Sequence, residues 1–225
     1  MLDILYQDED LIAINKPHGL LVHRSSIAAD TSAFALQLLR DQIKQAVYPA
    51  HRLDRKTGGI LLFAKNKEMD SRTQQLFADK DVLKTYWAIV RGYTDDAGTI
   101  DYPLRKENGN LQDAITHYCT LSRAEIDLPF GKHATSRYSL VEVRPETGRM
   151  HQIRKHLAHI FHPILADRPH GCNKQNKLWK ERFNMDTMML HAGQLSFLHP
   201  RTKQEINIKA PLLSEFERVR QVLAL

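Results

Sequence analysis

Strand-like segments outnumber helical ones along this 225-residue chain and often follow one another directly. A doubly wound parallel sheet needs regular strand–helix alternation, so this succession points to an α+β fold: a largely antiparallel mixed sheet with flanking helices. The apolar residues 11–14, ended by Asn15-Lys16-Pro17-His18-Gly19, read as a strand closed by a turn, because Pro17 and Gly19 interrupt pairing. Extended structure resumes over 20–23, and 59–64, 82–90, 114–121, 137–143, 188–198 and 205–208 read as further strands. Ala35, Leu39, Ile43 and Val47 recur every four positions, which predicts a helix over 31–47 with Asp30 or Thr31 as N-cap. Further helices are predicted over 66–79, with Met69, Thr73, Leu76 and Phe77 inward, over 149–161, stopped by His162-Pro163, and over 212–223. Segments 95–98, 105–113, 129–134 and 168–176 read as loops. None resembles an interdomain linker, so a single domain over 1–225 is expected.

Composition excludes several classes. The longest apolar run, 60–64, is five residues, far short of a membrane span. The N-terminal Asp3, Asp8, Glu9 and Asp10 stand where a secretion signal needs a basic flank. Cys119 and Cys172 give neither a disulfide framework nor a Cys-x-x-Cys ligand pair. A cytoplasmic monomer without membrane association is expected. The net charge of +6 is localised: residues 144–182 hold nine basic and three acidic side chains, while the rest of the chain balances. A face that binds a polyanion and an ordinary solvated basic surface fit that charge equally well.

Three constellations carry chemistry. In His51-Arg52-Leu53-Asp54-Arg55-Lys56-Thr57-Gly58-Gly59, the cations around Asp54 favour the ionised carboxylate. It would be a poor general acid near neutral pH but an available nucleophile or electrostatic stabiliser; a polar turn with a surface ion pair is the alternative. In Glu146-Thr147-Gly148-Arg149-Met150-His151-Gln152-Ile153-Arg154, Gly148 would permit an unusual backbone at the start of a helix whose first-turn amides face an anion. Arg154 lies about 100° from Ile153, so it can flank the buried stripe and clamp a carboxylate bidentately, with Asp54 the candidate partner; an ordinary surface arginine is the alternative. In Lys84-Thr85-Tyr86-Trp87-Ala88-Ile89-Val90-Arg91-Gly92, alternation puts Tyr86 and Trp87 on opposite faces, one toward a core and the other toward a cleft or solvent. A cleft-facing Tyr86 could stack on a nucleobase. His151, His156, His159 and His162 invite a metal reading, but His151 and His156 are about 140° apart on a helix and cannot converge on one ion. Hydrogen bonding to phosphate, 2′-hydroxyls or backbone fits them better.

In this order the segments resemble the RluA-type family of RNA pseudouridine synthases over nearly the whole chain. The likeness runs from Asn15-Lys16-Pro17-x-Gly19 through His51-Arg52-Leu53-Asp54, Lys84-x-Tyr86-x-Ala88-x-Val90-x-Gly92 and Thr147-Gly148-Arg149-x-His151-Gln152-Ile153-Arg154-x-His156-Leu157. It continues into His162-Pro163-Ile164, Asp167, Gly171, Leu190-His191-Ala192 and His199-Pro200. The resemblance implies a catalytic domain with a central RNA-binding cleft that isomerises a uridine already in RNA, without cofactor or metal. Asp54 matches the essential aspartate, thought to attack the anomeric carbon or to assist base departure. Arg154 matches the arginine that pairs with it, and Tyr86 the tyrosine that lies against the target base. Arg52 matches the residue that enters the helix the uridine leaves, and His51, Arg149, His151, Gln152 and His156 are the expected further RNA contacts. Two departures, Thr57-Gly58-Gly59 for the usual Thr-Ser-Gly and Ala166-Asp167 for the usual Gly-Asp, bear on loop geometry. Because the motifs begin by Asn15, no N-terminal module of the S4 type is expected.

Within the family, residues 5–9, 21–25, 116–118 and 149–160 are most similar to the branch that modifies uridine 65 of transfer RNA. The alternative is a sibling acting on ribosomal RNA or another tRNA position. Two other classes remain: a non-catalytic RNA-binding module, which leaves Asp54 and Arg154 without a purpose, and a metal-dependent nuclease or phosphatase, motivated by the twelve histidines.

Overall fold

The computed structural model describes residues 1–23, 33–185 and 187–225. The proposed N-cap at Asp30 or Thr31, and Arg24 and Ser25 of the segment 21–25, lie outside the described residues. The chain forms two units, Met1–Lys84 with Ala192–Leu212 and Thr85–His191 with Leu213–Leu225. The α+β class holds, with antiparallel ladders in both units. Among the described residues no helix is long and apolar enough to cross a membrane.

In the first unit β1 (Asp3–Gln7) pairs antiparallel with β2 (Leu11–Lys16), and β2 with β4 (Gly58–Ala64), which also receives the short β3 (Tyr48–Pro49). Every residue of β2 and β4 is buried, as the apolar runs 11–14 and 60–64 imply, and the burial extends to the polar Asn15 and Lys16. Alternate residues Leu11, Ala13, Ile60, Leu62 and Ala64 share one core cluster with Leu195, Phe197 and Ile208 from the hairpin of β11 (Leu190–Leu198) and β12 (Glu205–Lys209). α2 (Lys67–Ala78) adds Met69 to that core. Its start is fixed by Asn66, whose side chain accepts a hydrogen bond from the Met69 amide at 2.8 Å. The first helix is shorter than its periodicity predicts: α1 spans Ala35–Ile43 and ends where Lys44 turns left-handed at φ 53°, so Val47 lies past it.

The second unit orders its sheet β5 (Leu83–Arg91), β10 (Ser136–Pro145), β9 (Ile115–Ile126), β6 (Ala97–Asp101), all antiparallel. α3 (Gln152–His159) and α5 (Ser214–Leu223) lie in this unit, the latter burying Phe216, Val219 and Leu223. Three expected loops are structured instead. Residues 95–98 lead into β6, and 105–113 contain a two-stranded hairpin, β7 (Leu104–Arg105) with β8 (Leu111–Gln112), whose polar composition hid it. Residues 168–176 run into α4 (Asn173–Phe183), which buries only Gln175 and Trp179 and so has almost no apolar stripe. Both donate hydrogen bonds to the buried Tyr138 hydroxyl of β10, at 3.0 and 2.7 Å.

The glycines separate by geometry. Gly59 has φ 101°, and a Cβ there would sit 2.2 Å from the Ala192 carbonyl oxygen; a Cβ on Gly148 would meet nothing within 4 Å, at an unexceptional φ. Gly59→Ala is expected to lower unfolding stability by about 3 kcal/mol or more, whereas Gly148→Ala stays within about 0.5 kcal/mol of the parent. Urea denaturation of both variants checks the contrast, and equal losses would contradict it.

Candidate active site

Asp54 opens a turn closed by the Thr57 amide, which donates to the Asp54 carbonyl at 3.0 Å. The loop that carries it is tied down by Lys16, a residue to which the sequence reading gave no role. The Lys16 side chain is fully buried at the end of β2, and its ammonium donates to the carbonyls of Pro17, Leu20 and Arg55 at 3.0, 2.9 and 3.2 Å. Three protons meet three acceptors, so the turn after β2 and the residue after Asp54 are gripped by one cation. The Gly19 amide adds a 2.8 Å bond to the Arg55 carbonyl. Burial pushes the Lys16 pKa down to about 7, against the opposing pull of the Asp54 charge. A lysine two residues past the apolar run 11–14 and directly before Pro17 is the signal that could have identified it.

His51 does not have the environment of a free RNA contact. Its ring stacks on Phe77 at 4.9 Å between centroids, its Nε2 accepts from the Leu62 amide at 3.2 Å, and it bonds to the Arg52 backbone. Burial lowers its pKa to about 4, so it is neutral and braces the loop. Arg52, by contrast, is exposed.

In the second unit the construction begins at β5. Tyr86 lies opposite Val143 of β10 and is half-buried. Farther along β5, the segment after α3 is sewn to the strand: the Arg91 amide donates to the Pro163 carbonyl at 3.0 Å and the Leu165 amide to the Ile89 carbonyl at 2.9 Å. A hydrogen bond of 2.9 Å joins His162 Nδ1 to the Arg91 carbonyl. This strap delivers Asp167, which is fully buried, to α3. Arg154 Nε and Nη2 meet the two Asp167 carboxylate oxygens, each at 2.8 Å. The bidentate clamp anticipated for Arg154 therefore exists, and Asp167 is the carboxylate it grips. Gly171 is required beside it, because a Cβ there would lie 2.2 Å from the Asp167 carbonyl oxygen. Ala166, where the family has glycine, takes φ 62°, and Asn176 holds this bend through the Ala166 amide (3.0 Å) and the Asp167 carbonyl (2.9 Å).

The start of α3 differs from expectation. His151, not Gly148, adopts the left-handed conformation, at φ 56°. Gln152, expected to touch RNA, is 4% exposed, and its amide is spent inside the unit. Its Oε1 accepts from the Thr147 hydroxyl and the Arg149 amide at 2.6 and 3.0 Å, and its Nε2 donates to the Ile115 carbonyl and the Thr116 hydroxyl, both at 3.0 Å. With every donor and acceptor used, Gln152 is a brace. His156, also expected at the RNA, is fully buried, bonded through Nε2 to the Tyr102 carbonyl at 3.0 Å, and burial lowers its pKa. Arg149 donates through Nε to the Asp113 carbonyl at 3.1 Å. His151 shares a 2.9 Å hydrogen bond with His170, whose pKa burial lowers against the charge of Asp167. Among the described residues no three His, Cys, Asp or Glu side chains are grouped to hold a metal ion.

One unit thus carries a carboxylate loop tied down by Lys16, and the other an arginine locked on its helix by Asp167. The model of the RNA pseudouridylate synthase family matches residues 10–159, and the chain belongs to that family. It is an isomerase with the RluA-type motif order. The chain is 45% identical to a protein of Vibrio cholerae serotype O1 named tRNA pseudouridine synthase C, over 96% of each chain. It is 47% identical to the protein of the same name from Haemophilus ducreyi, over 96% of this chain and 93% of that one. Among solved structures, human RNA pseudouridylate synthase domain containing 4 superposes with a TM-score of 0.74 at 28% identity, covering 99% of this chain and 93% of its own.

Two predictions follow from the buried charges. Asp167→Asn removes the carboxylate that the buried Arg154 grips with paired hydrogen bonds and should cost about 3 kcal/mol of stability, together with most of the isomerase activity. A thermal midpoint within two degrees or so of the parent would remove Asp167 from this role. For Lys16, the unfolded chain keeps its proton up to its ordinary pKa of 10.5, whereas the folded chain gives it up near 7. Between those values the unfolded state binds more protons, so this group adds stability as pH rises; below about 7 both states are charged and the contribution is flat. The stability difference between the parent and Lys16→Met should thus grow from pH 7 to pH 9 in urea titrations.

Proposed function

We propose that this chain converts a uridine of transfer RNA into pseudouridine, with uridine 65 as the target. The observation that carries the reading is the ordered series of family motifs around an Asp54 loop held by Lys16, in a chain 45–47% identical, nearly end to end, to proteins named tRNA pseudouridine synthase C. Residues 5–9, 116–118 and 149–160 support the choice of branch.

Chemically, the N1–C1′ bond breaks, the uracil turns, and a C5–C1′ bond forms. C5 loses its proton and N1 gains one, so the composition of the RNA is unchanged. Asp54 is the group that attacks the anomeric carbon or assists base departure, a task that requires its ionised form. Arg154 steadies that carboxylate, and its grip on Asp167 fixes its own orientation. Tyr86 lies against the base and takes part in proton removal. The uridine must leave its stack before any carboxylate reaches the glycosidic bond, and the exposed Arg52 is suited to fill the space it vacates. Arg149 and His151 contact the RNA. No metal or cofactor takes part, and the protein acts in the cytoplasm as a monomer, with both units forming one catalytic domain.

Asp54→Asn should bind tRNA much as the parent does while forming no pseudouridine; retained modification would refute the assignment of Asp54. Purified protein is incubated with unmodified tRNA and rRNA, and pseudouridines are mapped by carbodiimide-dependent reverse-transcription stops. A single stop at tRNA uridine 65 is expected. A stop only in rRNA would leave the chemistry standing and remove the target.

A further inference from the structure

Several surface arginines of the second unit are neutralised by carboxylates. Arg123 pairs with Asp96 at 2.6 Å, Arg137 with Glu125 at 3.1 Å, Arg144 with Glu142 at 2.6 Å and Arg220 with Glu217 at 2.6 Å. In one groove unpaired cations are gathered instead. A groove of about 390 Å³ lies between the β7–β8 hairpin and the start of α3, and its lining includes Arg105, Lys106, Arg149 and Lys155 against a single acid, Glu107. Among the described residues none of these four cations makes an ion pair. The two guanidiniums are nevertheless fixed, each by a neutral acceptor: Arg105 Nη1 donates to the Gly109 carbonyl at 2.8 Å, and Arg149 Nε to the Asp113 carbonyl at 3.1 Å. A carbonyl restrains the side chain without cancelling its charge, so the groove holds oriented, uncompensated positive charge.

We propose that this groove binds the phosphodiester backbone of the substrate RNA, with the β7–β8 hairpin as one wall of the contact. The inference rests on the reading of the chain as an RNA-modifying isomerase and adds a second place of contact to it. Four cations to one acid match a polyanion, and the volume is that of a small ligand site, enough for a short stretch of backbone. Met150, about half exposed, offers an apolar surface to a ribose or base in the same groove. Among the described residues the hairpin strands pair only with each other, and the tip turns through Gly109 at φ 88°. A lone two-stranded hairpin is marginally stable, so it can adjust to the RNA it meets. Geometry within the unit links the groove to the chemistry: Lys155 lines it, while the adjacent Arg154 turns inward to Asp167. RNA held here is therefore registered against the helix that carries Arg154. These contacts read backbone shape and position the substrate; they carry no base identity.

The test is the full-length double variant Arg105→Ala/Lys106→Ala, with Lys203→Ala/Lys209→Ala, which removes two exposed lysines of the first unit, as a charge-matched control. The dissociation constant for unmodified tRNA is measured between about 50 and 200 mM salt. The groove variant should bind about tenfold more weakly near physiological salt, with a salt slope shallower by about one to two, while the control moves neither. Unchanged affinity and slope in the groove variant, or an equal loss in the control, would overturn the proposal. Thermal melts verify folding; if the double variant melts early, Lys106→Glu alone, on the exposed hairpin loop, must weaken binding. Pseudouridine mapping with the parent protein separates this inference from the function itself. A parent that modifies no RNA, beside a groove variant that still loses binding, fails the enzyme reading and leaves the groove standing.

Discussion

A buried cation must have all its protons met, and each unit is organised around one. In the first, Lys16 at the end of β2 reaches three backbone carbonyls, two in its own turn and one beside Asp54. In the second, Arg154 meets Asp167 with paired hydrogen bonds in a site closed to water. Removing the partner of such a charge costs about 3–5 kcal/mol, a large part of the stability of an ordinary domain. Other arrangements of these loops are thereby disfavoured.

The second unit shows how far this requirement reaches. Asp167 can serve Arg154 only because the residues before it are bonded to β5, the strand that carries Tyr86. The His-Pro-Ile segment is thus a strap, and Gly171 is small because the Asp167 carbonyl occupies the space a side chain would need. Ala166 holds a left-handed conformation where glycine is free of strain, and the Asn176 side chain compensates from both sides of the bend. The histidines obey the same logic. His156 and His162 bond to backbone carbonyls and His159 stacks on Tyr102 with 3.7 Å between centroids, so three of the four serve the fold.

Much of this was legible in the residues. Apolar runs and alternation located most of the strands, and the helix expected from residue 66 begins there, with Asn66 as its N-cap. The position of Asp54 and the ability of Arg154 to grip a carboxylate were also legible, from neighbouring charges and helical geometry. The elements that escaped lack an apolar pattern. α4 is held by Gln175 and Trp179 on one tyrosine hydroxyl, and the β7–β8 hairpin is polar throughout most of its loop. Gln152 and His156 escaped in the opposite sense: polar side chains in a basic stretch look like ligands of RNA until their partners are known.

The sequence by itself determined the α+β class, the apolar and alternating strands and the family, because these depend on local periodicity and on residue types at fixed spacing. Tertiary structure alone decided which polar groups are spent inside the protein. Lys16, His51, Gln152 and Asp167 look from their residue types like surface or catalytic groups. Burial beside carbonyls, amides and a guanidinium makes them braces, since a polar atom removed from water must take the partner the fold brings to it.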